Sequence, residues 1–194
     1  MYFNQWTDNL SACLSDLNCK IQGISAIPVN SFELVKKILM GVKAQSKKVG
    51  IIGNGGSAAI ACHISQDMIN KLGIASFVLT DAALITCIGN DFGYENVFSK
   101  SLDVMLNEDD LLIAISDSGE SKNILNAVQV AKKNNCKIMT LSAFKNNNTL
   151  FMQSVDVAFH IKTENYGLAE ISHLTILHAL VDELSQITLQ KVIL

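Results

Sequence analysis

The sequence predicts an α/β fold built on a parallel sheet, and three observations carry that expectation. Short apolar runs recur at 49–52, 75–79, 111–115, 137–141 and 155–161. Between them lie helix-length segments with apolar residues three and four apart, such as Ile124, Ala127, Val128 and Ala131. Hydrophobic residues make up 49% of the 194 positions and charged ones only 17%, which is ample for a large core. Strand alternating with helix is the pattern of a parallel sheet covered on both faces, whose buried strands read as continuous apolar runs.

Taken in order, Trp6, Leu10, Cys13, Leu14, Leu17 and Ile21 fall at helical spacing and predict one amphipathic helix, broken by 23–28 around the single proline, Pro28. Asn30-Ser31-Phe32-Glu33 reads as a capping box opening a second helix through Val35, Ile38, Leu39 and Val42. Residues 1–47 are therefore expected to form a helical arm that packs on the main domain or on another subunit, and 48–194 the main domain. There the first strand ends at Gly53-Asn54-Gly55-Gly56-Ser57 and a helix runs to about Leu72, stopped by Gly73. A strand at 75–79, a helical or irregular stretch through Leu106, a strand at 111–115, a helix and a strand at 137–141 follow. Asn146-Asn147-Asn148 reads as a loop only, 155–161 as the last strand, and a long helix from about Leu168 closes the chain.

All 15 basic residues are lysine, against 18 acidic ones, for a net charge of −3. Nucleic-acid binding, which favours a basic surplus and bidentate arginines, is disfavoured. No apolar run approaches the roughly 20 residues needed to span a bilayer, and the start of the chain lacks the pattern of a signal peptide. Five scattered cysteines, Cys13, Cys19, Cys62, Cys87 and Cys136, fit free thiols in a reducing compartment. A cytoplasmic location without a membrane partner is expected.

Two loops at strand ends are suited to an anion. In Asn54-Gly55-Gly56-Ser57 the glycines admit a ligand close to the backbone, and the helix start behind them offers unpaired N–H groups. The bland reading is a tight turn with a helix cap; neither the dinucleotide nor the Walker pattern is present. Ser116-Asp117-Ser118-Gly119-Glu120-Ser121 places three hydroxyls at another helix mouth, where one could equally serve as an N-cap. Both lie where ligands bind in such sheets, outside the carboxyl ends of the strands.

His63 and Asp67 are four apart on the helix after the glycine loop, and Glu170 and His178 lie two turns apart on the last helix. Two histidines and two carboxylates make a four-ligand set for zinc, a general acid and base, or ordinary surface pairs. His173 competes with His178 for the role, and His160 reads as a strand residue without one.

These motifs, in this order and with Asn90-Asp91-Phe92-Gly93-Tyr94-Glu95 between them, resemble the sugar isomerase (SIS) domain family, and within it the phosphoheptose isomerases, over roughly residues 48–185. The resemblance implies a three-layer α/β/α sandwich around a five-stranded parallel sheet, flavodoxin-like in order, with an N-terminal helical arm and a homotetrameric assembly. It also implies a sugar-phosphate substrate bound by Asn54, Gly55, Gly56, Ser57, Asn90, Asp91, Ser116, Asp117, Ser118, Ser121 and Glu170. It places one zinc ion per subunit on His63, Asp67, Glu170 and His178. Asp67 is the expected base that moves a proton between C1 and C2, and His178 the acid. The implied reaction converts sedoheptulose 7-phosphate to glycero-manno-heptose 7-phosphate through an enediol. Asp67, Glu170, Asp117, Lys71 and Ile60 stand where the family usually carries Glu, Gln, Thr, Arg and Asp. The alternative is a non-catalytic SIS module that binds a phosphosugar or a partner protein, motivated by the charge of Asp117 inside the serine loop and the short Asp67.

Overall fold

The computed structural model describes the backbone of residues 2–193 and the side chains of residues 2–187. Seven strands form one mixed sheet: β1 (Asn18–Ile21), β2 (Ile24–Ala26), β3 (Lys48–Ile52), β4 (Ala75–Val78), β5 (Leu111–Ser116), β6 (Lys137–Ala143) and β7 (Val157–Ile161). Their spatial order is β2-β1-β7-β6-β5-β3-β4. The helices are α1 (Tyr2–Ser15), α2 (Pro28–Ala44), α3 (Gly56–Asp67), α4 (Ala82–Phe92), α5 (Ser99–Met105), α6 (Lys122–Lys133), α7 (Thr149–Met152) and α8 (Tyr166–Ile193). Among the described residues no helix is long and apolar enough to cross a membrane.

Strands β3 to β7 run parallel to one another, as expected, and carry the flavodoxin-like order. Successive strand residues point to opposite faces, so each strand feeds two cores. Val49, Ile51, Leu111, Ile113, Ile115, Met139, Leu141, Val157 and Phe159 pack against α1, α2, α3 and α8. Ile52, Leu112, Ala114, Ile138 and Ala158 face the other way, against α5, α6, α7 and the partly buried Ile85 of α4. The chain reverses its winding between β3 and β5, since β4 lies on one side of β3 and β5 on the other. A crevice at that reversal, at the carboxyl ends of the strands, is where an open α/β sheet takes its ligand.

The sheet is larger than five strands. Helix α1 stops at Ser15, and residues 18–26 form a hairpin rather than helix and linker. Gln22 and Gly23 both hold positive φ, 51° and 79°, as a two-residue hairpin turn requires. Strand β1 then pairs antiparallel with β7 and covers an edge that would otherwise stand bare. Helix α2 starts at Pro28 and not at the capping box, because proline's fixed φ and missing N–H suit the first helical position. Ser31 is consequently inside the helix and fully buried. Val35, Leu39 and Val42 join the same core as α3 and α8, so this part of the arm packs on the sheet. Helix α3 continues as a π-helical turn, Met68–Leu72, until Gly73 ends it with a left-handed φ of 63°. Asn148, expected in a plain loop, caps α7 by accepting from the Phe151 N–H.

Candidate functional site

The glycine loop and the serine loop face each other across the β3/β5 crevice. Together with Tyr166 at the start of α8 they enclose a cavity of about 190 Å³, lined by Asn54, Ser57, Ile115, Ser116, Asp117, Ser118 and Ser121. Backbone geometry explains the glycines. A Cβ at Gly53 would sit 2.6 Å from the Ser57 carbonyl carbon, and Gly55 turns the chain into α3 with a φ of 55°. A Cβ at Gly56 would overlap the Glu170 carboxylate. Neither helix start at the cavity receives a side-chain cap: Gly55 has none to offer, and the Ser121 hydroxyl does not cap α6. By contrast Asp81 caps α4 and Asn148 caps α7. The N–H groups and positive dipole ends of α3 and α6 thus remain available to an anion. Three hydroxyls stand with them: Ser116 donates to Ser121 (3.3 Å), and the Ser118 oxygen accepts from the Glu120 N–H (3.2 Å).

Both acids of the serine loop have partners outside the hydroxyl set. Glu120 accepts from the Thr149 N–H and hydroxyl at 2.8 and 2.7 Å, which hold its carboxyl below its ordinary range. Asp117, nearly buried, has Oδ1 3.2 Å from His173 Nδ1 beneath the loop. His173 is fully buried, and its other ring nitrogen faces the Ser142 carbonyl at 3.0 Å. His160 is indeed a strand residue, and it belongs to the same floor: Ser142 and Asn148 approach Nδ1 at 3.2 and 3.3 Å, and Asn146 faces Nε2 at 2.9 Å. Burial pushes the His160 imidazole down to about 4, and the neighbouring His173 and Lys20 add to the shift.

Asn54 is held in place rather than projecting freely. It exchanges two amide hydrogen bonds with Asn123 (3.1 and 2.9 Å), and Tyr94 donates to its oxygen at 3.2 Å. Asn123, buried on α6, was not among the expected site residues, and its only sequence signal is its position two residues after Ser121. A second hollow of about 260 Å³ opens beside the first, between Tyr94, Glu95 and the start of α6. Asn90 and Asp91 are exposed at the end of α4, with Asn90 donating to Asp91 at 2.8 Å; neither lines either hollow.

Further along the paired helices α3 and α8 lies a cationic-ligand cluster. His63, Asp67 and His178 place their ligand atoms within 4.8 Å of one another. Asp67 Oδ2 is 3.5 Å from His178 Nδ1 and 3.9 Å from His63 Nε2, and the two rings meet edge-on at 5.0 Å. That oxygen is buried and accepts no hydrogen bond of good geometry. Lys71 lies 3.0 Å from it and 3.1 Å from Asp182, and the two carboxylates hold the ammonium above its ordinary range. Two imidazoles beside one desolvated carboxylate oxygen are a donor set that fits a divalent metal such as zinc. Glu170, the fourth residue expected there, lies instead against Gly56 at the cavity end of α3.

Comparison with known proteins is consistent with this geometry. The SIS domain family model matches residues 2–143. A phosphoheptose isomerase of Sulfurimonas denitrificans is 38% identical over 160 residues, covering 79% of this chain and 81% of that protein. The structure of a phosphoheptose isomerase from Francisella tularensis superposes with a TM-score of 0.81 at 26% identity, over 95% of this chain and 97% of the other. The phosphoheptose isomerase of Neisseria gonorrhoeae gives 0.77 at 28% identity, over 82% and 88%.

Proposed function

Because this chain belongs to the SIS domain family and is an isomerase of sugar phosphates, we propose that it interconverts sedoheptulose 7-phosphate and glycero-manno-heptose 7-phosphate through an enediol. The observation that carries the reading is the alignment of two sites along α3 and α8. An anion cradle lies at the start of both helices, and an acid–base and metal-ligand cluster lies further along the same pair. From Ser57 to His63 the helical rise is about 9 Å, and from Glu170 to His178 about 12 Å. An extended seven-carbon chain measures roughly 10 Å from C1 to its phosphate when built from 1.5 Å carbon–carbon bonds. A three- or four-carbon phosphate falls well short.

In this reading the phosphate ester rests on Ser116, Ser118, Ser121, Ser57 and the N-termini of α3 and α6. Asn54, held by Asn123, presents its amide to the sugar, and Glu170 takes a hydroxyl near Gly56. Asp67 moves the proton between C1 and C2, and His178 protonates the oxygen, with Asn90 and Asp91 contacting hydroxyls in the assembled protein. Zinc would be held by His63, Asp67 and His178 and would supply Lewis-acid polarisation of the carbonyl when bound. Lys71 neutralises Asp67 otherwise and has Asp182 as its second partner. Ile115, which lines the cavity, desolvates the phosphate end of the site and strengthens the hydrogen bonds there.

The homotetrameric, cytoplasmic protein we propose finds support in exposed Tyr2, Phe3, Leu84 and Phe92, which invite cover by a second copy, and in five unpaired thiols. The non-catalytic alternative loses its main motive, since Asp117 is turned toward His173. Incubation with sedoheptulose 7-phosphate, with and without added zinc, tests the activity. Appearance of the aldose phosphate supports it; no aldose under either condition overturns it.

A further inference from the structure

We propose that Asp117 and His173 form a buried ion pair that positions the serine loop and keeps the carboxylate's charge off the bound phosphate, which makes His173 a positioning residue. The inference rests on the reading of the serine loop as the phosphate cradle. Residues 116–119 form a turn at the end of β5, closed by the Gly119 N–H donating to the Ser116 carbonyl at 2.9 Å, with Asp117 inside it. The Asp117 carboxylate meets His173 Nδ1 at 3.2 Å. The Ser142 carbonyl facing His173 Nε2 at 3.0 Å can only accept, so that nitrogen carries a proton. The remaining nitrogen and the carboxylate oxygen it faces are both buried without a hydrogen bond of good geometry to any other group, and a proton on Nδ1 makes the contact attractive. Two protons on the ring give an imidazolium that cancels the aspartate.

The rest of the floor is built to hold the pair. The Asp117 carbonyl accepts from the Ala143 N–H at 2.9 Å, extending the β5–β6 ladder under the loop. Asn148 donates to the Ser142 hydroxyl at 3.2 Å and fills the space beside Gly119, where a Cβ would overlap its Oδ1. The ring of His173 is fully buried, so water offers neither partner a substitute. Removing the cation leaves a buried negative charge behind an anion site; removing both charges leaves the loop supported and neutral.

The test is a charge cycle read by calorimetric titration of inorganic phosphate into the purified chain, with S118A as a control on the cradle. H173Q should weaken phosphate at least about tenfold, D117N less than about threefold, and D117N/H173Q should return to within about threefold of the parent chain. A double variant as weak as H173Q, or an H173Q that binds like the parent chain, overturns the pair. If H173Q does not fold, recovery of cooperative unfolding in D117N/H173Q supports the pair and its absence overturns it. Phosphate binding that is lost in S118A but kept in H173Q removes the pair alone. No phosphate binding by the parent chain removes the cradle and the pair together.

Discussion

Two aspartate–histidine pairs hang from the same helix and do different work. His173 and His178 sit five residues apart on α8, and each turns Nδ1 toward a nearly buried aspartate oxygen, at 3.2 Å from Asp117 and 3.5 Å from Asp67. Around Asp117 the structure is closed: its histidine side chain has no exposure, and its second nitrogen meets a backbone carbonyl. Around Asp67 it is open: the side chains of His178, His63 and Lys71 are 32%, 52% and 37% exposed. A carboxylate–imidazole contact has no fixed chemistry. With the ring sealed between a carboxylate and a backbone carbonyl it is a strut; with rings reachable from solvent it can exchange a proton or a metal.

The contrast can be broken first at the metal. H178A and H63A should each weaken zinc binding by more than about 100-fold, the upper end of the cost of losing even an outer-shell partner, while D117N should leave it unchanged; chelator competition measures both. In stability the order reverses. H173Q should cost about 3 kcal/mol because it strands a buried charge, whereas H178A, at a partly exposed ring, should cost less than about 1 kcal/mol; urea titration separates them. The floor under the closed pair also has a pH signature. His160 is held neutral with its value pushed from 6.5 to about 4, so between those limits the unfolded chain binds a proton that the folded one refuses. Stability should be complete above pH 6.5 and fall toward pH 4 by up to about 3 kcal/mol, and H160Q should flatten that slope. S118A should weaken phosphate-ester binding about tenfold while moving the thermal midpoint by less than about 2 °C. The smallest effect belongs to Lys71: K71M removes a tethered cation from Asp67 and should tighten zinc by up to about fivefold, the scale of one exposed ion pair.

What could be read from the sequence was what lies close together along it. The five parallel strands, the glycine and serine loops at their ends and the His63/Asp67 spacing are local patterns, and each motif is contiguous or one helical turn long. Asp117 shows the limit. Its position in the loop was evident, but its direction depends on a histidine 56 residues away, so a charge that looked adverse is paired in the structure. The Asn54–Asn123 amide pair joins a loop to a helix 69 residues away and was invisible for the same reason. The hairpin of β1 and β2 was misread because Leu14, Leu17 and Ile21 satisfy a helical period, while its real cause is the turn at Gln22-Gly23 and the bare edge of β7. Helix α2's start went astray where a proline outcompeted a capping box.

That hairpin has a consequence for how the protein is made. Asn18 pairs with His160, so the first strand leaves the ribosome roughly 140 residues before its partner exists. At ordinary elongation rates that is on the order of ten seconds, during which Cys19 and the backbone of β1 have no sheet to join. The beginning and the end of the chain are therefore committed to the fold in one late event, and a chain cut short before β7 forfeits its first strand along with its last.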